Sequence, residues 1–404
     1  MNIVSPARAE ALEVLPDRRV AVRWSDGSTS RYHFVWLRQR HFNPACGRPD
    51  APGEQGLRLP DRPEDLAVAA CRIERDDLVV QWAGDGAETR HGIAWLRENA
   101  YDPESRRRRK HVPQLWTGAE AAAFPWLRWD DAMGSDEGLW RLFAAVRDHG
   151  LARLGGAPTG PGAVATLAER FGPLRATHFG TVFDIRSTPS DASGKGANIG
   201  ATASNRLAPH TDEGWRHAPP GIGFHLCLAS TPGGGGASVL VDGFLAAERL
   251  RRNDPESFDL LARVPACFIA ERNEEERFRA RGRLIATDVD GDVVGVRFSD
   301  RTLAEQDLPE DLVEPMYRAL RAFAAELYAE DLAYAHALAP GEAHVFDNHR
   351  ILHARTAFDR EAGPRHIQQC SVDREEFHNR LRILARRLGR HADAAMTLPG
   401  GALG

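Results

Sequence analysis

A chain of 404 residues, 42% hydrophobic and 27% charged, has the length of two ordinary domains and enough apolar material to give each a core. Its 52 basic and 57 acidic residues leave a formal charge of −5, which excludes a global basic field for nucleic acid, and no apolar run approaches the roughly 20 residues of a membrane span. The opening MNIVSPARAEALEVLPDRR lacks the apolar stretch of a secretory signal, and five scattered cysteines (Cys46, Cys71, Cys227, Cys267, Cys370) suggest no disulfide framework, so a cytoplasmic location is expected.

In chain order, VAVRW (20–24) and TSRYHFVWLR (29–38) read as strands around a hairpin turn, SDGS. The pattern returns as LVVQW (78–82), the turn AGDG, and TRHGIAWLR (89–97), so that Trp24 and Trp36 correspond to Trp82 and Trp95. This weak internal repeat predicts a small β-rich domain over 1–110, with a Pro- and Gly-rich loop at 47–65 between its halves. The run SRRRRK (105–110) has no interleaved aromatics and reads as a solvated linker face rather than an anion patch. A linker is placed at 111–130.

Ser135 then caps a helix whose stripe is Leu139, Leu142, Phe143 and Val146. GLARLGG (150–156) reads as a strand and AVATLAERFG (163–172) as a second helix ended by Gly172. From 176 to 300 the sequence reads as short apolar strands broken by Gly and Pro. A helix follows at 309–330, then strands within 343–374, and an Ala- and Gly-rich tail (388–404) expected to fray. The expected fold is mainly β with flanking helices, a sandwich or barrel core over 131–387.

Two histidines stand out. His-x-Asp occurs as His210-Thr-Asp212 and again as His391-Ala-Asp393, the latter in the tail with no later His to join it. Downstream of the first, His353 follows Ile351 and Leu352 near a strand end. Two imidazoles and one carboxylate on one face of a metal leave adjacent positions open, as non-haem Fe(II) oxygenases require. Taken alone, the pair could equally be two ordinary buried histidines. Arg355, two residues past His353, shares its strand face, and with Arg365 it could hold a dicarboxylate. The GGGGAS stretch (233–238) is not a phosphate loop, since no Lys-Ser/Thr follows, but Ser238 could offer a hydroxyl to a carboxylate.

From HFGTVFDIRS (178–187), HTD (210–212), PPG (219–221), GGASVLVDGF (235–244), VFDNHRILHARTAF (345–358) and RHIQQCSVDREEFHNRLRIL (365–384), the chain resembles the γ-butyrobetaine hydroxylase branch of the taurine-dioxygenase superfamily. These are Fe(II)/2-oxoglutarate-dependent oxygenases. The resemblance implies a double-stranded β-helix (jelly roll) catalytic domain, a homodimer, and O₂ as second cosubstrate. It makes His210, Asp212 and His353 the iron ligands. Arg365 becomes the main partner of the 2-oxoglutarate distal carboxylate, assisted by Arg355 and Ser238.

The sequence departs from that family in two places. Its N-terminal domain holds a structural zinc, but the corresponding positions here are His41, Asn43, Cys46 and Ala87, so two of the four ligands are lost and zinc is doubtful. The aromatic cage for a trimethylammonium group maps onto Phe179, Phe183, Ala201 and Ser371, two of which carry no ring. Trp215 is a candidate replacement wall, His225 is shifted by one place relative to the family's His, Asp300 stands where an Asn is usual, and Asn198 is retained. The expectation is an oxygenase hydroxylating a small polar substrate (amine, amino acid or betaine-like) other than γ-butyrobetaine. The alternatives are a γ-butyrobetaine dioxygenase of carnitine biosynthesis, or a non-catalytic binding protein on the same fold.

Overall fold

The computed structural model describes residues 8–39, 42–43, 48–49, 62–186, 205–230, 233, 235–271, 276–359 and 363–400. They form two compact units, Met1–Lys110 and His111–Gly404.

The smaller unit contains the same element twice. Strands Ala9–Leu15, Arg19–Trp24 and Thr29–His33 make one antiparallel sheet, and Val68–Glu74, Asp77–Trp82 and Glu88–Gly92 make the other. The repeat therefore includes a strand ahead of each predicted hairpin. Each third strand is shorter than its sequence suggested. The WLR halves are helices, Phe34–Gln39 and Ile93–Glu98, because Phe34 and Leu37, like Ile93 and Leu96, recur at helical spacing. Equivalent hydrogen bonds recur too: Trp24 Nε1 donates to Ser30 Oγ at 3.0 Å, and Trp82 Nε1 to Thr89 Oγ1 at 3.1 Å. Trp36 and Trp95 stack at 5.2 Å. The Arg run, read as linker, is instead a helix, Pro103–Arg109. Asp102 caps it by accepting from Ser105 N, and four Arg in its last turn oppose the negative end of the helix dipole.

In the larger unit a six-stranded sheet has the order Val182–Arg186, His366–Val372, Ile222–Ala229, Ala343–Asp347, Leu151–Gly155, Trp126–Arg128. A four-stranded sheet has the order Leu207–His210, Ile351–Arg355, Ser238–Asp242, Tyr334–His336. Strand alternation sorts the first sheet's faces. Phe224, Leu226, Val345 and Cys370 pack outward with Phe143, Phe171 and Phe377 of the helical layer. His225, Phe346 and Gln369 point the other way, and Phe346 joins Leu240 and Ile351 of the second sheet in one buried cluster. Behind the second sheet, Val241 and Leu352 meet the helices Gly243–Asn253, Pro255–Arg263 and Glu310–Leu327.

Several expectations change here. Residues 111–130, expected as a linker, carry a capped helix, Gly118–Ala122, and a strand paired in parallel with Leu151–Gly155. The stretch 176–300 includes two helices read as strand territory. Their starts are marked by Asp242 accepting from Phe244 N and by Asp254 capping Ser257 with Pro255 in the first turn. Arg374–Arg387 is helical, and Ala394 and Leu398 of the tail are buried in the main core rather than frayed. The Ser135 cap holds, and the helix it starts, Asp136–His149, ends on Gly150 at φ 69°. No helix among the described residues is long and apolar enough to cross a membrane.

One buried ion pair ties the four-stranded sheet to the core. Arg350 makes two parallel bonds to Asp242 (Nε–Oδ1 3.0 Å, Nη2–Oδ2 2.8 Å) and also donates to the carbonyls of Asp148 and Gln114. Both side chains are all but fully buried, so each charge depends on the other for its solvation.

Candidate active site

His210 ends one strand of the four-stranded sheet and His353 lies in the next, as direct register partners with ring centroids 4.3 Å apart. Past His210 the chain leaves the sheet, and Asn348 turns it. Asn348 Oδ1 accepts from Asp212 N at 2.7 Å, while its Nδ2 donates to the carbonyls of Asp212 (3.2 Å) and Pro220 (3.0 Å). Glu213 follows in a left-handed conformation at φ 52°. The result brings Asp212 Oδ1 to 3.7 Å from His210 Nε2 and 3.4 Å from His353 Nε2. One donor atom from each residue lies within 4.8 Å of the other two.

The protonation states suit a cation. His210 Nδ1 bonds the Ala208 carbonyl at 2.9 Å, which places the proton there and leaves the Nε2 lone pair facing Asp212. Burial, reinforced by His353, pushes the His210 pKa down to about 3, so the ring is neutral near pH 7. Burial opposes ionisation of Asp212, but the surrounding imidazoles, His353 foremost, hold its carboxyl well below the usual range. Two imidazoles and one carboxylate, converging from two strands and a turn, are a donor set that fits a ferrous ion.

Two cavities meet at this cluster. One is lined by His210, Asp212, His353, His225, Arg301, Arg355, Arg365 and Ser238. Ser238 and Arg355 are cross-strand partners, and Phe358 lies under both guanidiniums, 4.6 Å from Arg355 and 5.7 Å from Arg365. Arg355 donates to the Asn205 carbonyl at 2.9 Å. Arg365 Nη1 is buried with no hydrogen-bond partner among the described residues, and burial lowers its pKa. A Cβ on Gly236 would stand 3.1 Å from Arg365 Nε, so the glycine, at φ 73°, lets the loop close over that guanidinium. A half-buried guanidinium with an unsatisfied Nη1 among the described residues, in a cavity with a serine hydroxyl, suits a carboxylate.

The other cavity is lined by Phe179, Phe183, Trp215, Glu213, Arg175, Ser371 and, at its floor, Asp212, Asn348 and Gln369. Phe179 and Phe183 lie 5.4 Å apart. Burial raises the Glu213 pKa, and Arg216 bonds its carboxylate. Arg175 bonds Asp373 and donates to the Ala218 carbonyl at 2.6 Å.

Of the residues singled out from sequence, His210, Asp212, His353, Arg355, Arg365 and Ser238 come together around the first cavity. Phe179, Phe183, Trp215 and Ser371 come together around the second. His225, expected on the substrate side, lies on the first cavity instead, because its register partner is Gln369 beside Asp212. Asp300 is exposed, hydrogen-bonds Tyr328 and lines neither cavity. Asn198, Ala201, His41 and Cys46 lie outside the described residues, and Ala87 supplies no ligand atom. Sequence reasoning missed Asn348, Gln369, Arg301, Glu213 and Arg175. Asn348 and Gln369 lie within the quoted motifs, but only the strand register shows that they face Asp212.

Residues 109–371 match the model of the family described as taurine catabolism dioxygenase TauD, TfdA family. The chain is 35% identical to the gamma-butyrobetaine dioxygenase of Pseudomonas sp. (strain AK-1), over 91% of this chain and 94% of that protein. It is 27% identical to the trimethyllysine dioxygenase of Meyerozyma guilliermondii, over 90% of this chain and 93% of that one. A solved structure of AAD-2 with Mn(II) and N-oxalylglycine superposes with a TM-score of 0.48 at 15% identity, covering 65% of this chain and 97% of that one.

Proposed function

The chain belongs to the taurine catabolism dioxygenase TauD, TfdA family, on its γ-butyrobetaine dioxygenase-like branch, and is an Fe(II)/2-oxoglutarate-dependent dioxygenase; from that premise we propose that it hydroxylates an unactivated C–H bond of a small amine, amino acid or betaine-like substrate other than γ-butyrobetaine. In this reading His210 Nε2, Asp212 Oδ1 and His353 Nε2 hold the iron. Arg365 takes the distal carboxylate of 2-oxoglutarate, with Arg355 and Ser238 beside it. The two sheets are taken as the halves of a double-stranded β-helix, with the edge strand Trp126–Arg128 lying just ahead of the expected span 131–387; a cytoplasmic homodimer is proposed from the family resemblance alone.

When bound, iron and 2-oxoglutarate supply the oxidising power, spending O₂ and releasing succinate and CO₂. The protein's own part is geometric. Asn348 fixes the Asp212 backbone, the Ala208 carbonyl sets the His210 tautomer, and Arg365 orients the cosubstrate. Phe179, Phe183 and Trp215 keep the substrate cavity dry against the ligand cluster.

The observation that carries the reading is the convergence of His210, Asp212 and His353 near a half-buried Arg365 whose Nη1 has no hydrogen-bond partner among the described residues. The substrate preference rests on the cavity. Ser371 brings no ring to it, and Glu213 and Arg175 bring a carboxylate and a guanidinium, so its lining is not an aromatic cage alone. A second reading, γ-butyrobetaine dioxygenase, is favoured by the 35% identity with the Pseudomonas enzyme. A panel of amines, amino acids and betaines, loaded anaerobically with Fe(II) and 2-oxoglutarate and then exposed to air, separates the two. Mass spectrometry should find one added oxygen on a compound other than γ-butyrobetaine. Preferred turnover of γ-butyrobetaine establishes the second reading, and succinate from no compound removes both.

A further inference from the structure

Asp212 and Gln369 each line both cavities, so together they form the wall between them. Gln369 Nε2 donates to Asp212 Oδ2 at 2.7 Å. That bond uses one of the two N–H donors of the amide and fixes which end of the side chain faces the carboxylate. His225 stands directly across the strand pair from Gln369, its ring beside the amide, and His225 Nε2 is buried with no partner among the described residues. The His225 ring in turn lies edge-on to His353 at 5.1 Å, wedged against the ligand cluster. The chain of contacts therefore runs from His225 through the amide to the carboxylate oxygen that faces away from the two ligand imidazoles.

We propose that Gln369, oriented by His225, is a positioning residue that keeps Asp212 a one-oxygen ligand. The inference rests on the iron-site reading above. A carboxylate with both oxygens free can chelate a metal. Here Oδ2 is held by a neutral donor while Oδ1 alone faces His210 and His353. Three protein donors leave three positions on a six-coordinate ion, two for the keto acid and one for O₂. A chelating Asp212 would occupy one of them and compete with 2-oxoglutarate. Gln369 thus protects the cosubstrate's position without touching the metal.

The test is an anaerobic titration of the Fe(II)-loaded protein with 2-oxoglutarate, followed by the metal-to-ligand charge-transfer absorption of the chelate. Gln369→Met keeps the side chain's length and removes its donor. Loss of an outer hydrogen bond to a ligand typically costs about 10–100-fold, so the 2-oxoglutarate Kd should rise roughly tenfold or more. His225→Phe, which leaves the amide unoriented, should shift it in the same direction by less. Thermal melting of the metal-free variants should fall only by the roughly 2–4 °C that one lost hydrogen bond implies, leaving them folded during the titration, so that the shifted Kd reads positioning rather than unfolding. A Gln369→Met protein that binds 2-oxoglutarate within about twofold of wild type overturns the proposal, since such a change is below the range expected for this kind of contact. If Gln369→Met does not fold, His225→Phe decides by the same criterion. Absence of the absorption in the wild-type protein is a different failure, because it removes the iron-site reading itself.

Discussion

Replacing Asn348 by Ala tests how the site is built. The side chain is 2% exposed and makes three hydrogen bonds, to Asp212 N, Asp212 O and Pro220 O. A net contribution of about 1 kcal/mol each gives a loss of about 3 kcal/mol, and a buried backbone N–H left without a partner adds to it. For a unit larger than 150 residues, each kcal/mol lowers Tm by roughly 2–4 °C, so the drop should be about 6–12 °C. Calorimetry of the metal-free protein measures this. Because Asp212 would no longer be fixed, Mn(II) affinity, read by electron paramagnetic resonance, should fall with it, by about tenfold. A melting point within about 1 °C of wild type, a small fraction of the expected shift, together with unchanged Mn(II) binding would refute the view that Asn348 shapes the ligand turn.

Other outcomes follow from the same structure. Asp242→Ala leaves the Arg350 guanidinium buried and unpaired, and should cost about 3–5 kcal/mol in a denaturant melt, whereas an exposed pair such as Arg387–Asp136 should cost less than about 1 kcal/mol. Arg365→Gln should raise the KM for 2-oxoglutarate roughly 10–100-fold, the worth of a charge-assisted bond of about 1.5–3 kcal/mol, and an unchanged KM would place the carboxylate elsewhere. Burial holds the folded-state pKa of His210 and His378 down at about 3 and of His349 at about 4, below the ordinary 6.5. The unfolded chain therefore takes up more protons between these values. Stability of the metal-free protein should be full above about pH 6.5 and decline as pH falls toward 3–4, at up to about 1.4 kcal/mol per pH unit for each group. A flat stability curve from pH 7 to pH 5 would contradict that burial. Elemental analysis of the purified protein should find less than one zinc per chain, since Ala87 stands at one of the four ligand positions.

The chemistry was more legible in the sequence than the scaffold. His210-Thr-Asp212 and His353 could be picked out because Asp two residues past a strand-end His, and an apolar strand before a second His, limit where these side chains can point. Arg365 and Ser238 were accessible as carboxylate-binding side chains, and the motif order ranked Arg365 first. What stayed hidden depends on register. Gln369 and His225 meet Asp212 and His353 only because three antiparallel strands pair as they do, and a one-residue slip would turn both into the helical core with Phe224 and Cys370. Helices were undercounted where their apolar faces looked like short strands. Gly243–Asn253 follows the strand Ser238–Asp242 directly and Pro255–Arg263 follows that helix across Asp254, and their Asp caps were the available signal. The WLR runs in the smaller unit failed for the related reason that a strand of five residues passes without a break into a helix of six. Asp300 could not be placed from its position next to buried Ser299, since the chain turns there, with Thr302 N and Leu303 N both donating to the Ser299 carbonyl, and leaves Asp300 exposed.

The most direct measurement is a crystal structure of the protein loaded anaerobically with Fe(II) and 2-oxoglutarate. The expected result is one metal bonded to His210 Nε2, Asp212 Oδ1 and His353 Nε2, with the keto acid chelating it and its far carboxylate on Arg365. Metal bound at other side chains, or 2-oxoglutarate seated away from Arg365, would contradict the assignment on which the proposed function depends.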